Sequence, residues 1–172
     1  MFSINRQRIG VATALIVAAV TFFGLPMFIP VAQAEQAFDI TMCYSGTFTI
    51  LSASKELTVL SFDIKGISRS NHENKVFDNT TGHAVGVMRR VAGKKSYAGY
   101  FKLLDPDGDF VVVEISTAET GQNTWKFLQG TGKWKGITGG AKSRPITHGK
   151  YITPGTFQKC IRVTGTFELP PK

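Results

Sequence analysis

The chain has little from which to build a metal or redox centre: two cysteines and three histidines in 172 residues. Cys43 and Cys160 are far apart and form no C-x-x-C pair, which removes thiol redox chemistry of that kind. His72, His83 and His148 stand at no metal-ligand spacing from one another or from a cysteine, so no metal is expected. The G-x-S-x-G nucleophile elbow is absent, and no nucleophile and base can be paired by spacing. Helical periodicity is missing after residue 34, which excludes helical bundles and doubly wound α/β folds. Acidic residues are scarce, 12 against 20 basic ones. The basic residues are nonetheless spread along the chain, with no arginine-rich helix and no basic-aromatic RNA-binding signature. No nucleic-acid partner and no cofactor are expected.

What the sequence does contain begins with an export signal. Arg6 and Arg8 precede an apolar run over residues 9–23, which Gly24, Pro26 and Pro30 break before Ala32-Gln33-Ala34. A basic end, an apolar middle and small residues at a cut are the order of a secretory signal. Cleavage is expected between Ala34 and Glu35, giving a signal peptide over 1–34 and a domain over 35–172. The alternative is an uncleaved anchor, since residues 9–31 are long enough to span a bilayer. No cysteine follows the run to take a lipid, and Arg6-Gln7-Arg8 is not a twin-arginine pair. The expected location is periplasmic or secreted.

The first 34 residues hold two of the basic residues and none of the acids, which leaves 18 basic against 12 acidic, a net +6 on 138 residues. That length suits one domain with one core. The charge suits solubility, with an anionic envelope component attracted over a screening length of about 8 Å as the alternative.

Alternation with period two recurs through those residues, punctuated by glycine. Eight strands are predicted, near 38–51, 56–67, 82–91, 96–104, 109–117, 123–130, 143–152 and 156–168. In the first, Phe38, Ile40, Met42, Tyr44, Phe48 and Ile50 share one parity, with Gly46 in the same row. In the last, Phe157, Ile161, Val163, Gly165, Phe167 and Leu169 do so, and Lys159 is the exception in that apolar row. Glycines within strands, at 46, 66, 86, 99, 130 and 165, are placed where a strongly bent sheet needs residues without a Cβ. The fold class read from this pattern is all-β, a single closed eight-stranded antiparallel barrel, with a β-sandwich as the alternative. Cys43 and Cys160 lie opposite the apolar rows of the first and last strands. Closure makes those strands neighbours, so an external disulfide is expected in an oxidising compartment.

Two short motifs carry competing readings. Asp105-Pro106-Asp107-Gly108-Asp109 reads as a hairpin turn, with Pro fixing φ and Gly accepting positive φ. The alternative is a weak Ca²⁺ site, since three carboxylates stand at alternate positions, but the EF-hand pattern fails because it needs an acid where this chain has Ser116. His83 shares parity with Val85 and Val87, so it is either a structural histidine or, if that parity faces inward, an imidazole at the barrel mouth. Glu114 is expected to face solvent while Val111, Val113 and Ile115 line the core, the alternative being a buried carboxylate.

Residues 121–140 are the most distinctive stretch, with Trp125 and Phe127 on one strand face and Trp134 and Ile137 able to plug one barrel end. Gly130-Thr131-Gly132-Lys133-Trp134-Lys135-Gly136-Ile137-Thr138-Gly139 resembles the G-T-G-x-aromatic-x-G-I-x-G segment of barrels related to allene oxide cyclase and the dirigent proteins. With Asp105-Pro106-Asp107-Gly108-Asp109 and Pro154-Gly155-Thr156-Phe157, it is also similar to a group of uncharacterised exported bacterial proteins over most of residues 35–172. The resemblance implies an eight-stranded antiparallel barrel with a central apolar cavity. It brings no catalytic residue to any position of this chain.

Three classes of function follow. One is a module binding a small apolar or amphipathic molecule, with Tyr44, Phe62, His83, Tyr97, Phe101, Trp125 and Phe127 as ligand-binding residues and Val85 and Val87 on the same inner face. Another is an interaction protein with a filled barrel and a basic outer surface. The third is a cyclase or isomerase needing a buried ionisable group, with Glu114 or His83 as candidates. The sequence does not indicate an oligomeric state.

Overall fold

The computed structural model describes residues 34–118 and 120–171, so all of the expected signal segment except Ala34 lies outside the described residues. The eight strands are β1 (Gln36–Ala53), β2 (Leu57–Ser70), β3 (Thr81–Val91), β4 (Lys94–Leu104), β5 (Phe110–Thr117), β6 (Asn123–Gly130), β7 (Thr138–His148) and β8 (Thr156–Glu168). Each pairs antiparallel with the next, and β8 pairs with β1 to close the barrel. The sandwich alternative is thereby excluded. At Gly46, Gly66, Gly86, Gly99, Gly130 and Gly165 a Cβ would fall within 2.5 Å of a carbonyl oxygen on an adjoining segment. The sheet curls tightly enough there that only glycine lets the neighbouring backbones approach.

Seven strands fall close to their predicted positions, but the seventh begins five residues before the predicted 143. Gly139 and Gly140 read as a loop in the sequence, yet they pair with Phe167 and Thr166 and give the lower part of β8 its partner. The strand also ends earlier than 152. Pro145, which has no N–H for the ladder, lies at a register shift between Pro145 and Thr147, and the pairing stops at His148.

Cys43 and Cys160 are directly opposed across the β1–β8 seam and form a disulfide, with Cα atoms 4.1 Å apart. On the same outer face, Arg162 of β8 forms an ion pair with Asp39 of β1, and Asn71 donates to the same carboxylate at 2.9 Å. The Arg162 guanidinium, followed by Asn71, holds the Asp39 carboxyl below its ordinary range.

The barrel end that receives the β2–β3, β4–β5 and β6–β7 connections is filled. Phe77, from the β2–β3 connection, enters the interior and stacks on Trp134 with ring centroids 4.7 Å apart. Trp134 belongs to a single 3₁₀ turn, Gly132–Trp134, and meets Phe167 edge-on. Phe38 and Phe127 pack against Phe77 from the walls, and Ile137 is buried beside them. The polar groups that accompany this plug are satisfied. The Ser68 hydroxyl donates to the Phe77 carbonyl at 2.6 Å and hydrogen-bonds Thr80. The Trp134 indole N–H donates to Asp105 at 2.6 Å, and the Lys133 ammonium reaches Asp105 and Asp107. Asp109 accepts from the Lys133 backbone N–H at 2.9 Å. The acidic stretch is thus a turn whose carboxylates latch the plug through protein donors.

Candidate functional site

The other end of the barrel is open. Between the plug and the β1–β2, β3–β4, β5–β6 and β7–β8 connections lies a cavity of about 690 Å³, within the range of small-molecule sites. Its geometry follows from strand parity. Inward residues deep in the strands, Met42, Ile64, Phe101 and Ile161, form the floor, while Tyr44, Leu60, Tyr97 and Phe157 lie nearer the mouth. The rings brace one another: Phe101 lies 5.3 Å from Trp125, Tyr44 lies 6.2 Å from Phe157 and Phe62 lies 6.5 Å from Tyr97, measured between centroids.

Burial, with a lesser contribution from Tyr97, pushes the Tyr44 phenol well above its ordinary pKa. Burial likewise raises Tyr97, against a smaller opposing pull from Arg90. Both are neutral at physiological pH and offer a hydroxyl to a ligand. Arg90, Lys95, His148, Lys150, Tyr151 and Lys159 complete the border at the mouth. Lys159 pairs in register with Tyr44 on one side and His148 on the other, so its side chain shares the inward parity of Phe157 and Ile161. Burial lowers its pKa and Lys95 adds to the effect.

Of the ligand-binding residues expected from sequence, Tyr44, Phe62, Tyr97, Phe101 and Trp125 border this cavity. Phe127 does not. It faces inward, but toward the plug, where Phe38 and Phe77 cover it. His83 is outside the barrel, with Nε2 3.0 Å from Asp63 of β2. Val85 and Val87 are on the same outer face, 48% and 45% exposed.

The reason lies in β3. Its inward residues are Gly82, Ala84, Gly86 and Met88, and a Cβ at Gly82 or Gly86 would stand 2.6 Å from the Phe101 or Phe62 ring. Neighbouring aromatics occupy the inner space, so this strand turns its small residues inward and its valines out. Glu114 is also on the outer wall, opposite Tyr100 and Lys126, while Val111 and Val113 are buried and Ile115 borders the cavity. Neither group proposed for acid–base work reaches the interior.

Sequence reasoning did not assign Arg90, Lys95 or Lys159 to the site. The signal was present: Arg90 continues the parity of Met88, Lys95 that of Tyr97, and Lys159 interrupts an apolar row.

No protein-family model matches the chain, and no curated protein does. Among solved structures, it is similar to the pterocarpan synthase dirigent protein GePTS1, with a TM-score of 0.48 and 12% identity over 80% of this chain and 93% of that one. It is similar also to the pterocarpan synthase dirigent protein PsPTS1, with a TM-score of 0.48 and 11% identity over 84% of this chain and all of that one.

Proposed function

We propose that this is an exported barrel that binds a small apolar or amphipathic molecule in its open cavity. The observation that carries the reading is the division of the interior: one half is packed by Phe77, Trp134 and Phe167, while the other leaves about 690 Å³ lined by aromatic and aliphatic side chains. A barrel acting only through its exterior has no use for such a space, and rigid rings around it lose little entropy on meeting a ligand. Export is supported by the order of the first 34 residues and by the Cys43–Cys160 disulfide, which persists in an oxidising compartment.

The test is titration with the neutral fluorophore N-phenyl-1-naphthylamine. Saturable one-site binding is expected, with quenching of Trp125, and Leu60→Trp, which narrows the cavity, should weaken it at least tenfold. Binding that survives Leu60→Trp and disappears when the outer-wall Lys126 and Lys142 are replaced by Ala would move the function to the basic exterior.

A further inference from the structure

Among the described residues, the cavity border carries cations and no acid. Arg90, Lys95, Lys150 and Lys159 border it, and among the described residues no Asp or Glu does. They come from β3, β4, the β7–β8 connection and β8, so they converge on the mouth from around the barrel. None of the four is in an ion pair among the described residues. Elsewhere, Arg69, Lys133 and Arg162 each have a carboxylate partner. Lys159 is half-buried while the other three are exposed, and it is set between Phe157 and Ile161 on the inner face of β8.

Resting on the reading of the cavity as a binding site, we infer that its ligand is an amphiphilic anion. The anionic head lies against Lys159, with Lys95 and Arg90 facing it, and the apolar body extends toward Phe62, Phe101 and Trp125. The Lys159 ammonium has lost part of its hydration and has Lys95 for a neighbour. A bound anion relieves both costs, since opposite charge favours the protonated amine. The two tyrosine hydroxyls supply neutral donors beside the head. A cation meets the reverse situation, with no carboxylate among the described border residues to receive it.

The experiment compares N-phenyl-1-naphthylamine with 8-anilinonaphthalene-1-sulfonate, the same ring skeleton bearing one sulfonate. An uncharged pocket prefers the neutral probe, because the sulfonate must shed water. The full-length protein is expected to hold the sulfonate at least tenfold more tightly. Lys159→Met should bring the two affinities together, and Lys159→Arg should keep the preference. Lys126→Ala, on the outer wall, should change neither. Dodecanoate should displace the sulfonate and dodecyltrimethylammonium should not. Equal binding of both probes, or a preference that persists in Lys159→Met, overturns the inference and leaves the cavity reading standing. Failure of both probes to bind overturns both.

Discussion

Trp125 and Phe127 stand two residues apart on β6 and both face inward, yet they belong to different parts of the interior. Trp125 borders the cavity, while Phe127 is packed against Phe38 and Phe77. Phe127→Ala is therefore expected to remove about 3–5 kcal/mol of stability and to leave the affinity of the folded protein for N-phenyl-1-naphthylamine within twofold. Urea unfolding and probe titration of the same preparation would check this, and a large loss of affinity without loss of stability would contradict the placement. Alternation reveals which residues face in, and the inward placement of Tyr44, Phe62, Tyr97, Phe101 and Trp125 on the cavity border was legible on that basis. It does not reveal depth. Phe127 is covered by Phe77, which arrives on a connection of polar residues with no periodicity, at a backbone φ of +53°. A side chain inserted from a loop leaves no trace in a strand pattern.

At the level of elements, the pattern was clearest in β1 and β8, where one long row is apolar and the other polar. Their adjacency, and with it the disulfide, followed from barrel closure. β3 misled because both rows of its middle, Ala84 to Met88, are apolar or small, and the choice between them depends on rings contributed by β2 and β4. The row with larger side chains looked like the core row, but Phe62 and Phe101 had already filled that space. β7 was misplaced because two glycines resemble a turn until the partner strand is known.

The β1–β8 seam yields a prediction of its own. The disulfide joins residues 117 apart in sequence, and closing so long a loop contributes up to about 4–5 kcal/mol in the chain-entropy model. Cys160→Ser should lower the denaturant midpoint without changing the circular dichroism of the folded protein, because the β1–β8 ladder spans eleven residue pairs besides Cys43–Cys160. An unchanged midpoint would mean that the seam does not limit unfolding.

The whole barrel is asymmetric along its axis, and stability should be distributed in the same way. At the filled end, Phe38, Phe77, Phe127, Trp134 and Phe167 form one aromatic cluster, latched by Asp105 and by the Ser68 and Thr80 hydroxyls. At the mouth, the strands enclose a cavity, and Leu51, Tyr151 and Ile152 are largely exposed. Segments with few buried contacts open locally at lower free energy than the rest. Native-state hydrogen exchange of the ligand-free protein should accordingly find weaker protection in β4 near Tyr97 and in β8 near Phe157 than near Ile40 and Val163.

A ligand at one hundred times its dissociation constant stabilises the bound form by about 2.7 kcal/mol against any opening that releases it. Mouth amides should gain that protection, and so should amides that exchange only through global unfolding. Local openings of residues 71–80 at the filled end leave the cavity intact, and those amides should gain none. Gains in the locally opening amides of residues 71–80 equal to those at the mouth would place the ligand elsewhere than in the open half. Protection confined to the mouth and the global core would locate it between Lys159 and Trp125, at the boundary where packing by the chain itself stops.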